Sequence, residues 1–248
     1  MARGLRKMML VSAGTAAAGA GVWAALRPRT LAWGATCDEV VRLLPGDDLI
    51  ANPLYVTTRA ITVKAPAGAV WPWLVQLGQN RGGFYTYDVL ENLLGLDIHS
   101  ADSICPEWQD LHAGEDYVTL DPDEYMKMTI AVLEPERAFV VRSGVPGEPP
   151  QAAGRFFKGE LAWSWGFYLE PLDEGTTRLI IRSRAAWADT LAARLAKPLV
   201  LEPVHFLMEE RMLRGIRERA ERAACLTQDG MGSGPATGRP VIPTGHTS

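Results

Sequence analysis

The residues best suited to chemistry lie in one short run, E-P-V-H-F-L-M-E, which sets Glu202, His205 and Glu209 on one face of a helix. Glu-x-x-His is the spacing of di-iron helix bundles, but such a centre needs a second run of the same kind, and the sequence holds none. His205 and Glu209 therefore read as an i,i+4 pair on a helix surface, with a His205 turned into a ligand cavity as the alternative. No metal and no cofactor is expected. His99 is the other candidate: with Asp97 and Asp102 near it, it has the makings of a general base and an orienting carboxylate, against the plainer reading of a loop histidine bonded to backbone. Tyr85 and Tyr87 would supply hydroxyls to the same rim or simply pack. The glycine-rich GQNRGG of residues 78–83 lacks the Gly-Lys-Ser/Thr of a phosphate loop and reads as a turn.

Composition narrows the classes further. A net charge of −4 argues against a nucleic-acid partner. The three cysteines, Cys37, Cys105 and Cys225, are too few and too scattered for a disulfide framework or a zinc knuckle, and read as free thiols. No Gly-x-Ser-x-Gly, His-Glu-x-x-His or dinucleotide fingerprint occurs.

The elements that must position these residues follow from periodicity and punctuation. Residues 57–64 alternate as a strand, with Ile61 and Val63 on one side. Pro66 opens a short helix over 67–77, and Asp88 with Glu91 has the form of a capping box for a second over 88–94. Strands follow over 116–120, 126–133, 138–143, 160–169 and 176–186, with hairpin turns at Glu134-Pro135-Glu136 and Asp173-Glu174-Gly175. Residues 144–154 form a flexible loop. The last element is a long helix over 203–223, its apolar stripe read as Val204, Met208, Met212, Gly215 and Ile216.

This order gives an α+β domain in which a curved antiparallel sheet wraps the long helix. One helix cannot fill the concave side alone, so an apolar cavity is expected between them. Trp163 and Trp165 alternate with Leu161, Phe167 and Leu169 and should line that concave face. Arg182 and Arg184 alternate out of phase with Leu179, Ile181 and Ser183, which assigns them to an opposite, solvated face.

Four segments are expected: residues 1–26 as an anchor or signal, 27–54 as a connector, 55–223 as the domain, and 224–248 as a disordered tail. Residues 8–26 carry no charge and follow Arg3, Arg6 and Lys7. They read as a single-pass membrane span, with export after signal cleavage, or a helix packed on the domain, as alternatives.

The phrase RAITVKAPAGAVWPWLVQLG, a strand running into a short helix, resembles the opening of the SRPBCC superfamily, which includes START domains, birch-pollen-allergen-like proteins and polyketide cyclase/dehydrases. The likeness spans roughly residues 55–223, and GGFYTYDVLENLLGLDIHSADSICPEWQDL is similar to a bacterial subgroup of it. The resemblance implies a helix-grip fold with an apolar cavity. It implies no catalytic set, because carriers, sensors and enzymes share the fold. The expected function is binding of a hydrophobic small molecule or lipid near a membrane. Ligand contacts are expected from Trp163, Trp165, Phe167, Tyr85, Tyr87, His205, Met208 and Met212. The alternative is a cyclase/dehydrase-like enzyme using His99 and Tyr87 as acid and base.

Overall fold

The structure, a computed structural model, describes residues 19, 21–93, 97–119, 127–143, 161–187 and 197–232. Six strands form one antiparallel sheet: β1 (Tyr55–Val63), β2 (Asp116–Thr119), β3 (Lys127–Glu134), β4 (Ala138–Ser143), β5 (Leu161–Asp173) and β6 (Thr176–Trp187). Their spatial order is β1-β6-β5-β4-β3-β2, so β1 and β2 are the free edges. Before β1 come helix α1 (21–31), the short α2 (Cys37–Val41) and a 3₁₀ turn (Asp47–Leu49). Two short helices follow β1, α3 (Ala67–Val75) and α4 (Asp88–Leu93), and the chain ends on α5 (Glu202–Gly232), introduced by a π turn over Lys197–Leu201. This is the helix-grip arrangement: the sheet's concave face closes on α5.

The main core lies between that face and α5. From the sheet come Ile61, Val63, Met128, Ile130, Phe139, Val141, Trp165, Phe167, Leu179 and Ile181, met by Met212, Leu213, Ile216 and Ala220. The helix comes in close at Gly215: a Cβ there would stand 2.4 Å from the carbonyl oxygen of Tyr85. The buried stripe of α5 keeps Met212, Gly215 and Ile216 of the stripe read in the sequence and departs from it in the first turns. Val204 is half exposed, while Glu202 and Glu209 are buried. An apolar pattern cannot find a face whose first turns are acidic. The helix also continues past residue 223 to Gly232, with Thr227 bonded back to the Ala223 carbonyl.

The convex face is covered as well, which corrects the expectation that Arg182 and Arg184 are solvated. The chain between α1 and β1 lies across it. Arg182 is 4% exposed. Its guanidinium donates to Asp47 at 2.6 Å, to Thr58 at 3.0 Å, and to the carbonyls of Glu39, Val40 and Arg42 at the end of α2. A cation suits a helix C-terminus, where unpaired carbonyls accumulate. Glu39 completes a capping box with Thr36 and pairs with Arg178 at 2.7 Å. Tyr168 lies across Gly166 on the same face and donates to the Pro45 carbonyl at 2.6 Å.

The membrane assignment for residues 8–26 is overturned: no helix among the described residues is long and apolar enough to cross a membrane. Most of 8–26 lies outside the described residues; 21–26 begin α1, which runs on through Arg27 and Arg29. Arg27, the first charge after the apolar run, is tied to the domain. Arg27 reaches Glu202 with two bonds, 2.5 Å and 2.8 Å, and the Thr30 carbonyl accepts from Arg59 at 2.9 Å. Beyond α1, the Trp33 carbonyl takes the Ala60 amide of edge strand β1 at 3.0 Å. Gly34, at φ +71°, allows this approach, since a Cβ would meet the Ala60 carbonyl oxygen at 2.1 Å. This contact takes up one outward-facing amide of the β1 edge, which hinders another strand from pairing there. Residues 233–248, and with them most of the expected tail, lie outside the described residues, as does the loop expected over 144–154.

Two stability outcomes follow. Gly215→Ala should cost about 1–3 kcal/mol, because the methyl group has to push backbone apart, and urea denaturation will read it. Arg27→Ala should cost roughly 1–2 kcal/mol, since it leaves the buried Glu202 carboxylate short of donors while the arginine itself is partly open to water.

Candidate functional site

The inward face of α5 changes character along its length. Its first turns present Glu202, His205 and Glu209; the later turns present Met212, Leu213, Ile216 and Ala220. Sheet register decides what the acidic end meets. Tyr55 pairs with Ala185 and Ala185 with Trp163, Thr57 with Ser183 and Ser183 with Trp165, and Arg59 with Ile181 and Ile181 with Phe167. Because side chains alternate across a strand, these rows all face α5. Three rungs of a β1-β6-β5 ladder therefore set a tyrosine, a threonine, an arginine, a serine and two tryptophans under the helix's polar end.

Arg59 and Glu209 form the centre. Both side chains are buried, at 0% and 1% exposure, and the guanidinium Nη1 bonds directly to the carboxylate. Glu209 Oε1 also accepts from Trp165 Nε1 at 2.9 Å and from Ser183 Oγ at 3.2 Å. Burial alone would raise the Glu209 pKa. The charge of Arg59 and the bonds from Arg59 and Trp165 outweigh it and hold the carboxyl below its ordinary value. Arg59 sits 5.3 Å from the centroid of the Phe206 ring.

His205 lies one turn before Glu209. Its Nδ1 is 3.0 Å from the Tyr55 hydroxyl and 3.4 Å from Arg59 Nη1. Burial pushes its pKa down to about 4, against the opposing pull of Glu209, so the ring is neutral at pH 7. An arginine can only donate, which assigns Nδ1 the acceptor role and the proton to Nε2. Tyr55 is likewise driven up to about 12, by burial first. Trp163, partly buried, stands edge-on to His205 at 6.0 Å and stacks on Trp165 at 5.5 Å.

Three atoms in this patch are buried and have no hydrogen-bond partner: Thr57 Oγ1, Arg59 Nη2 and His205 Nε2. The last is 3.5 Å from Glu209 Oε1, near enough for attraction but without a hydrogen bond. Arg182, on the other face of the same sheet, has no such open valence.

The expected site residues separate into two groups. Trp163, Trp165, Phe167, His205 and Met212 come together on the concave side, with Met208 half-buried on the same helix. His205 is no helix-surface residue, because α5 turns it onto the sheet. Tyr85 is interior, not at a rim. It is in the left-handed region at φ +57°, its hydroxyl donates to the Trp73 carbonyl at 3.2 Å, and the Arg219 guanidinium lies 4.6 Å over its ring. Tyr87 is 40% exposed. His99 points outward: Asp88 bonds Ser100 and Asn92 bonds Ile98, so the residue between them projects with its side chain 79% exposed beside an equally open Asp97. Asp102 pairs with Arg219 instead. His99, Tyr87 and Asp102 therefore form no common centre. Tyr55, Thr57, Arg59 and Ser183 were missed by sequence reading, although the alternation of β1 with Ile61 and Val63 inward places Arg59 on the core side.

Neither a protein-family profile nor a characterised protein matches the sequence. Solved structures overlap it distantly. A conserved protein from Geobacillus kaustophilus is 14% identical, covering 67% of this chain and 95% of that one, with a TM-score of 0.38. CalU16 from Micromonospora echinospora is 16% identical over 69% and 87%, with a TM-score of 0.30. A norcoclaurine synthase point mutant from Thalictrum flavum is 13% identical over 68% and 98%, with a TM-score of 0.35. At such distances the functional reading rests on the site's own atoms.

The histidine sets a pH dependence. Its folded pKa, about 4, lies below the unfolded value near 6.5, so the unfolded chain binds the extra proton between those values. Stability is present in full above about 6.5 and falls as the pH drops toward 4, by on the order of 3 kcal/mol. Glu209, held low, extends the loss further into acid. Chemical denaturation from pH 7 to pH 4 should show this slope, and His205→Phe should flatten its upper part.

Proposed function

We propose that the chain binds a hydrophobic small molecule on the concave side of its sheet, at the end where Trp163 and His205 reach solvent. One observation carries this reading: three buried polar atoms without hydrogen-bond partners, Thr57 Oγ1, Arg59 Nη2 and His205 Nε2, fall in one patch beside stacked indole rings. An unsatisfied buried donor costs about 1–3 kcal/mol, and a pocket of apolar walls with a few convergent polar groups is the usual form of a small-molecule site. The SRPBCC-like opening phrase and the helix-grip fold fit the same reading.

A second reading, an enzyme of the cyclase/dehydrase type, draws on the Tyr55–His205 contact, which brings a proton donor and a neutral imidazole together in the same patch. Binding is preferred because the Tyr55 hydroxyl and His205 Nδ1 satisfy each other, which leaves His205 Nε2, Arg59 Nη2 and Thr57 Oγ1 as the open valences.

The two tryptophans give the test. Trp165 is buried and bonded to Glu209, so Trp165→Ala should cost about 3–5 kcal/mol. Trp163 is only partly buried, and Trp163→Ala should cost less while weakening binding of a neutral hydrophobic fluorophore such as N-phenyl-1-naphthylamine. A wild-type chain that binds no such probe, together with equal destabilisation by both changes, would mark the concave side as solid core and end this reading.

A further inference from the structure

The chemistry of the open valences names the polar group of the ligand. Arg59 Nη2 can only donate. His205 Nε2 carries the imidazole proton, because Nδ1 faces a guanidinium nitrogen, so it donates as well. Thr57 Oγ1 can donate or accept. The patch therefore offers more donors than acceptors, and its single carboxylate within reach, Glu209, already takes bonds from Arg59, Trp165 and Ser183.

Charge sets the second condition. Arg59 is neutralised by Glu209, Glu202 by Arg27, and His205 is uncharged at pH 7. An anionic ligand would bring a buried charge that no free cation balances. Its desolvation would cost several kcal/mol, and Glu209 would repel it. A neutral acceptor meets the donors without that cost.

We infer that the ligand carries an uncharged hydrogen-bond acceptor, a ketone or comparable carbonyl, on a flat apolar body, and that Arg59 Nη2, His205 Nε2–H and Thr57 Oγ1 take the carbonyl while Trp163 and Trp165 take the body. The inference rests on the binding site proposed above. Trp163 and His205 are the members with exposed surface, so the ligand enters past them. All three polar atoms are shielded from water, so the ligand must shift a wall as it enters, and new bonds to otherwise unmet donors offset that displacement.

The test compares three probes of one shape on the unaltered chain, read by quenching of tryptophan emission: 2-acetylnaphthalene, 2-ethylnaphthalene and 2-naphthoate. The ketone should bind about tenfold more tightly than the hydrocarbon, the equivalent of 1.4 kcal/mol, and more tightly than the carboxylate. The isosteric Thr57→Val and the ring-conserving His205→Phe should each narrow the ratio of ketone to 2-ethylnaphthalene affinity, whereas loss of fold would weaken both probes together. Equal affinity for ketone and hydrocarbon would overturn the carbonyl assignment and leave the apolar container standing. A preference for 2-naphthoate would overturn it in favour of an anion site. Failure of all three probes to bind at millimolar concentration would remove both the assignment and the binding site on which it rests.

Discussion

An arginine on an edge strand and a glutamate on the facing helix, both closed off from water, are the contact around which this domain is arranged. Two charges removed from water lose several kcal/mol each in hydration and recover it only with close geometry and full hydrogen bonding. Glu209 meets that condition, with Arg59, Trp165 and Ser183 around it. Arg59 does so in part, through Glu209 and the Thr30 carbonyl. The pair fixes the height of α5 over β1, β6 and β5, and the rest of the grip follows from that height. Apolar side chains of similar volume would hold helix and sheet together as well or better. Stability alone thus gives no reason for a charged pair whose arginine keeps an unmet donor.

Comparison with Arg182 sharpens the point. Both arginines lie on central rows of one sheet and both are buried, one on each face. Arg182 has a carboxylate, a hydroxyl and three carbonyls, and it clamps the N-terminal layer to the convex side. Arg59 stops short of that, beside a threonine and a histidine in the same condition. The N-terminal segment matters to both. It supplies the carbonyls and carboxylate for Arg182, gives Arg59 the Thr30 carbonyl from α1, and meets the β1 edge at Ala60 through Trp33. Residues that read as connector thereby include structural parts of both layers.

Much of the fold was legible in the sequence. Alternation and turn signals together located the strands to within a few residues, and proline and glycine marked the short helices. The concave role of Trp163, Trp165 and Phe167 followed from their spacing. What escaped notice has a common physical cause: buried polar residues. Hydrophobic pattern reading rotates a helix until its apolar residues face inward, so it missed a stripe that begins Glu202, His205, Glu209 and set Val204 inside in their place. It sent Arg182 to solvent because the segment that covers it lies some 140 positions away in the chain. It passed over Arg59, whose partner on α5 is equally remote in sequence. His99 attracted attention through two nearby aspartates, but neighbours in sequence are a poor guide to convergence when the loop between them is tied down by Asp88 and Asn92.

The central claim is that the imidazole and guanidinium at the polar end of the grip face a ligand. Long-range ¹H–¹⁵N correlation spectra of the His205 ring report on it directly, because the two ring nitrogens differ sharply by tautomer. The account predicts a neutral ring protonated on Nε2 at pH 7, whose Nε2 resonance moves on titration with 2-acetylnaphthalene while the Nδ1 resonance, held by Tyr55, moves little. A ring protonated on Nδ1, or an Nε2 resonance that stays fixed while the probe binds, would contradict it.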